Sequence, residues 1–170
     1  MNEIVKTTLA VAASQVGVKE LGTNAGPQVT AYLKSTGLPA GNPWCMAFVN
    51  WCEEQAAKQL GRKSIIPNTA SCDVFHNWAK KNNLLKSAPQ QGDCFLIYKV
   101  LTPQSFDATH VGFVLDVVKD EAGTIVRVKT IEGNTNSGGS REGDGVYRRS
   151  RPLGPKIRFV RWALMAKKEA

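Results

Sequence analysis

Cys45 sits where a Gly41-Asn42-Pro43 turn runs into a stretch in which Phe48, Cys52, Ala56 and Leu60 recur every four residues. That spacing predicts one apolar face of a helix, which Gly61 ends. A thiol in a first helical turn lies among unpaired N–H groups and at the positive end of the helix dipole. Both favour the thiolate over the free thiol, whose ordinary pKa is about 8.5. A thiolate can attack a carbonyl carbon, and a turnover reaction then needs a base and a group that orients the base. The alternative for Cys45 is a small buried apolar side chain. The chain has two histidines, and His110 opens an apolar strand pattern over residues 110–118. A second strand pattern, over residues 124–131, follows a short turn, so the two should pair antiparallel. His110 then lies beside the end of the second strand, where Glu132 and Asn134 stand. Taken singly, a strand-end histidine and a loop acid need no function. A Cys45 helix packed across that end of the sheet would complete Cys–His–Glu, an arrangement for nucleophilic acyl transfer.

Other polar and aromatic residues receive plainer readings. His76, in a helical stretch beside Phe75 and Trp78, reads as a surface or partly packed histidine. Asp93 follows a turn and opens a strand, where it could accept from backbone amides. Asp107, in the loop before His110, could line a cleft. Trp44, next to Cys45, reads as core or as an aromatic cleft wall.

The elements that must position these residues fall into two halves. Helical patterns cover residues 3–16, 27–36 and 45–60, and a fourth follows Pro67-Asn68-Thr69 with Val74, Phe75, Trp78 and Ala79 on one side. Strand patterns follow at residues 94–98, 110–118, 124–131, 146–148 and 157–164, with a Gly/Ser/Asn loop over residues 133–145. Helices first and strands second predict an α+β fold, N-terminal helices packed on an antiparallel sheet of about five to six strands.

At 170 residues the chain corresponds to one domain, 1–170, with no run of about 18 apolar residues and no signal-peptide pattern at its start. The charge is concentrated: residues 127–168 hold eleven Lys and Arg against three Asp and Glu, the whole net excess of +8. A basic face implies an anionic partner such as nucleic acid, a membrane surface or an acidic wall polymer, unless it is merely solvated. Cys45, Cys52, Cys72 and Cys94 contain no C-x-x-C pair of the kind zinc sites prefer. Free thiols with one reactive member are the expectation, with a single Cys72–Cys94 bridge as the alternative.

These residues resemble the CHAP domains, the cysteine, histidine-dependent amidohydrolases/peptidases. The segment from Gly41 to Cys52 is similar to their nucleophile segment, and Pro89 to Asp93 to their turn before the first core strand. His110-Val111-Gly112 is similar to their His segment, and Ile131-Glu132-Gly133-Asn134-Thr135-Asn136 to their Glu-x-Asn segment. The resemblance spans Gly17 to about Asn136. It implies a papain-like α+β fold of the same broad group as NlpC-type peptidases, and cleavage of amide bonds in peptidoglycan. It assigns Cys45 as nucleophile, His110 as general base and Glu132 as the group orienting it. Asn134 would assist, by positioning His110 or polarising the carbonyl. A Glu in the third position favours CHAP over NlpC types, which usually use a second His or another polar group there.

No cofactor is implied. Some CHAP domains bind calcium through an Asp-rich loop before the cysteine, but residues 21–44 hold no Asp or Glu, so no metal site is expected. The implied partner is bacterial peptidoglycan, with the basic segment adding wall affinity. No nucleic acid, no membrane insertion and a monomer are expected. Made in the cytoplasm, the protein would reach the wall either as a phage endolysin or as a delivered toxin, the latter with a cognate immunity protein. The rival classes are a nucleic-acid-binding protein using the basic stretch with Tyr147, Phe159 and Trp162, and an inactive wall-binding module.

Overall fold

The computed structural model describes residues 1–136 and 143–167. Residues 137–142 of the expected loop and Lys168 of the basic segment lie outside them. Helices α1 (Glu3–Ser14), α2 (Pro27–Ser35), α3 (Cys45–Gln59) and α4 (Cys72–Lys81) come first. Strands β1 (Leu85–Lys86), β2 (Cys94–Leu101), β3 (Phe106–Lys119), β4 (Ile125–Thr135), β5 (Gly145–Pro152) and β6 (Ile157–Val160) follow. They form one sheet in the order β1-β6-β2-β3-β4-β5, with every pairing antiparallel. The class is α+β and fits a papain-like fold.

Local chemistry sets the helix starts. The Asn2 side chain accepts from the Ile4 N–H at the head of α1, and Ser71 accepts from the Val74 N–H at the head of α4. The α4 cap is thus Ser71 rather than Pro67-Asn68-Thr69; the Pro67 carbonyl instead accepts from Asn50 Nδ2 at 3.0 Å. Helix α3 differs: Trp44 stands at its N-cap and no side chain caps it. No side chain at the N-cap position therefore competes for its first-turn N–H groups.

The helices bury their apolar faces against one side of the sheet. Ile4, Val5, Tyr32, Leu33, Phe48, Val49, Cys52 and Phe75 meet Val111, Phe113 and Ile131 there. The sheet curls around a smaller cluster on its other side, made of Phe95, Val114, Val128, Ile157 and Phe159. Two glycines set how close the layers come. A Cβ on Gly133 would lie 2.7 Å from Phe48 Cγ and 2.8 Å from Trp44 Cζ3, so α3 can rest on β4 only over a glycine. A Cβ on Gly112 would lie 2.7 Å from the Ile131 carbonyl oxygen and 3.0 Å from Glu132 Cγ.

Several sequence expectations need correction. The last strand ends at Val160, and Trp162–Lys167 is a 3-10 helix, anchored where Trp162 Nε1 donates to the Gly92 carbonyl at 2.8 Å. Strand β4 runs past Ile131 to Thr135, so Glu132 is a strand residue and not a loop acid. His76 is buried, with Nδ1 2.7 Å from the Tyr98 hydroxyl and its ring stacked on Phe106. The expectation of unbridged cysteines stands, since no disulfide links Cys72 to Cys94 or any other pair of the four.

The glycine argument predicts that Gly133→Ala destabilises the fold by about 1–3 kcal/mol through forced separation of α3 and β4. Gly154→Ala, where a Cβ meets nothing within 4 Å, serves as the control and should shift the urea midpoint very little.

Candidate active site

Cys45 is the first residue of α3, and its side chain is buried to within a few per cent yet still reaches the surface. Its Sγ lies 3.8 Å from the Sγ of Cys72, the first residue of α4. Two helices thus meet by their N-termini, with one thiol at each head. The Cys72 thiol beside it holds the Cys45 thiol well below its ordinary range. Burial opposes this, while His110 and the Met46 N–H add to it. Cys52 and Cys94 are the contrast: both are wholly buried, and burial pushes their thiols well up.

His110 lies in β3, where it pairs with Ile97 of β2. Its Nε2 is 2.8 Å from Glu132 Oε2, and both groups are buried. Among the described residues, its buried Nδ1 meets no hydrogen-bond partner. Burial alone would lower the basicity of the ring. The Cys45 sulfur and the Glu132 carboxylate outweigh it and raise the pKa to about 9.

Glu132 is fully buried in β4 and would not remain charged there without partners. It has three. Thr130 Oγ1 donates to Oε1 at 2.5 Å, Arg151 Nε donates to Oε1 at 2.6 Å, and Arg151 Nη2 donates to Oε2, the oxygen that also meets His110. Burial opposes ionisation, but His110 and Arg151 overcome it and hold the carboxyl at about 2. The result is a continuous chain, Arg151–Glu132–His110, ending near the Cys45 thiol.

Asn134 follows within a β4–β5 irregularity between Glu132 and Thr135, at a left-handed φ of 54°. Oriented so that donors meet acceptors, its amide oxygen accepts from the Trp44 N–H at 3.2 Å and its amide nitrogen donates to the Gly143 carbonyl at 3.1 Å. It therefore braces the residue before Cys45 rather than His110. Trp44 is corrected outright. It is fully buried, stacked on Tyr32, with its indole N–H donating to Glu20 Oε1 at 2.6 Å, so it is core and no cleft wall. Asp107 is also corrected. It lies in β3 opposite Val100, not in a loop, and among the described residues makes no hydrogen bond to the site. Asp93 keeps its structural reading, accepting from the Gln90 N–H and from Arg161.

Sequence reasoning missed Cys72, Arg151 and Glu20. Cys72 carried a signal, since Ser71 caps its helix as a turn precedes Cys45, leaving both cysteines at helix heads. Arg151 was counted as surface charge, and only the strand register shows otherwise.

Beside the paired helix heads a groove of about 420 Å³ opens, lined by residues that include Leu38, Asn42, Pro43, Asn68, Thr69 and Ser71, all uncharged. Among the described residues, no group of three or more His, Cys, Asp or Glu side chains is placed to hold a metal ion. No helix there is long and apolar enough to cross a membrane.

The CHAP-domain family model matches residues 37–134. The match covers more than half of the chain and spans Cys45, His110 and Glu132, so the protein belongs to the CHAP-domain family. Membership implies amidase or peptidase activity on peptidoglycan. No curated protein and no solved structure matches.

Three expectations follow from the charges. With Glu132 held at about 2 instead of 4.5, its stabilising contribution is present above pH 4.5 and is lost as pH falls towards 2. His110, raised from 6.5 to about 9, contributes fully below pH 6.5 and loses its contribution as pH rises through 9. Arg151→Met strands a buried carboxylate and should cost about 3 kcal/mol at pH 7, shrinking below pH 4 as Glu132 protonates. Urea unfolding of both proteins from pH 3 to 8 measures this.

Proposed function

We propose that the protein is a peptidoglycan hydrolase that cuts an amide bond with a cysteine nucleophile. The observation that supports this best is the Arg151–Glu132–His110 chain, buried at Glu132 and His110, that leads to a thiol at an uncapped helix head. Cys45 is the nucleophile, His110 the proton carrier, and Glu132 the group that orients the ring and balances its charge. Asn134 positions the backbone that carries Cys45.

In the resting site the proton sits on His110 and the charge on Cys45. The thiolate attacks the amide carbonyl, and N–H groups of the α3 first turn steady the oxyanion. The His110 imidazolium gives its proton to the leaving amine, and the acyl-enzyme forms as the C–N bond breaks. The neutral ring then takes a proton from water, whose oxygen attacks the thioester and frees Cys45. The uncharged groove beside Pro43 and Ser71 suits a neutral stretch of substrate such as peptide amides.

The bond is either the one between the muramoyl lactyl group and L-alanine or one within the stem or cross-bridge peptide. The protein acts on the wall from the periplasm or the cell exterior, as a monomer, after release as an endolysin or delivery as a toxin. In the second case a cognate immunity protein covers the groove. The nucleic-acid reading gains no support, because Arg151 and Arg161 of the basic segment are committed to Glu132 and Asp93.

Digestion of purified peptidoglycan, with mass spectrometry of the released fragments, tests the proposal. Wild type should release fragments whose new termini identify the bond, and Cys45→Ala should release none. His110→Ala should lose about 10²–10⁴ in rate. Failure of the wild type on walls of several chemotypes would sink the reading.

The proton inventory adds a pH signature. Hydrolysis should fall above about pH 9, as His110 loses the proton it must donate. Alkylation of Cys45 by iodoacetamide, which needs only the thiolate, should stay fast both there and at pH 6. Parallel loss of both rates above pH 9 would contradict the assignment of the proton to His110.

A further inference from the structure

The mechanism uses one thiol, yet the site holds two. Cys45 Sγ and Cys72 Sγ lie 3.8 Å apart, each at the first residue of its helix. A disulfide needs a separation of about 2.05 Å. The remaining gap of about 1.8 Å is of the size that rotation of two cysteine side chains can close. Both residues keep a small exposure, 6% for Cys45 and 7% for Cys72, enough for a small solute to arrive. Cys52 and Cys94 have 0% exposure and form an internal control.

We propose that Cys72 is the resolving thiol of a peroxide-sensitive site, which closes a reversible Cys45–Cys72 disulfide and masks the nucleophile. The Cys45 thiolate attacks one oxygen of hydrogen peroxide. The O–O bond breaks, hydroxide leaves, and Cys45 becomes a sulfenic acid, oxidised by two electrons. The Cys72 thiol gives up its proton, and its sulfur attacks the Cys45 sulfur. The S–O bond breaks, and the departing hydroxide takes the proton to become water as the S–S bond forms. A dithiol reductant opens the bridge by two successive exchanges, is itself oxidised to a disulfide, and restores both thiols. Without Cys72 the sulfenic acid has no thiol beside it, and a second hydrogen peroxide oxidises it to sulfinic acid with release of water, a state that dithiols do not reduce. The ready ionisation of Cys45 favours the first step, and the raised thiols of Cys52 and Cys94 keep them out of it. The pair would keep a bond-cleaving thiolate recoverable under oxidising conditions.

The test is peroxide treatment of the reduced full-length protein, followed by alkylation and non-reducing peptide mapping. Wild type should lose about 2 Da and yield one cross-linked peptide pair carrying Cys45 and Cys72, reversed by dithiothreitol. Cys52 and Cys94 should alkylate only after denaturation. In Cys72→Ser the cross-link should be absent and Cys45 should gain about 32 Da that dithiothreitol does not remove. Sulfinic acid at Cys45 in the wild type with Cys72 still alkylatable would overturn the proposal. So would a Cys72–Cys94 or Cys45–Cys52 link. The wild-type map decides even where the variant fails to fold. These readouts are masses, so they hold or fail independently of peptidoglycan cleavage; only the expected loss and recovery of activity rests on the hydrolase reading.

Discussion

A carboxylate with no exposure to solvent must be paid for in hydrogen bonds and opposite charge, and Glu132 meets that demand with Arg151, Thr130 and His110. The Cys45 sulfur and this carboxylate together favour a proton on the buried imidazole, and the Cys72 thiol and then that cation favour a thiolate on Cys45. Remove the guanidinium and the chain loses its origin. The rest of the fold serves this line of charge. Strand β4 supplies Thr130 and Glu132, then Gly133 as the flat seat for α3, then Asn134 as the brace for the Trp44 backbone. Four residues within one five-residue stretch thus set the anion, the helix contact and the nucleophile's approach.

The basic segment takes on a different meaning in this light. Its sequence suggests a cationic face turned to an outside partner. In the fold, Arg151 spends its charge on Glu132 and Arg161 spends its own on Asp93, while Arg149 donates to the Asn136 carbonyl. Part of the excess therefore stabilises the sheet and the site. Lys129 and Arg148 remain on the exterior and can still favour an anionic wall.

The α+β class and the meeting of His110 with Glu132 were legible in the sequence for local reasons. A short turn between two strand patterns forces antiparallel pairing, and pairing alone brings residues 110 and 132 together. The Cys45 helix was legible from a four-residue period after a turn. What was not legible depended on distant strands and on the third dimension. Arg151 reaches Glu132 only because β5 pairs with β4 in one register. Cys72 reaches Cys45 only because two helix heads converge. Its place beside the nucleophile left Trp44 as either core or cleft wall, and Glu20 and Tyr32 draw it into the core. The last strand was read four residues too long because Trp162 continues an alternating pattern that its bond to Gly92 ends.

The account rests on the claim that His110 carries a proton at neutral pH because a thiolate and a carboxylate share it. Imidazole nitrogen and carbon chemical shifts of His110, followed by NMR in a pH titration of wild type and Cys45→Ala, test it most directly. The account predicts an imidazolium at pH 7 in the wild type, titrating near 9, and a lower midpoint once the thiolate is removed. A neutral His110 ring at pH 7 in the wild type, unchanged by loss of Cys45, would contradict it.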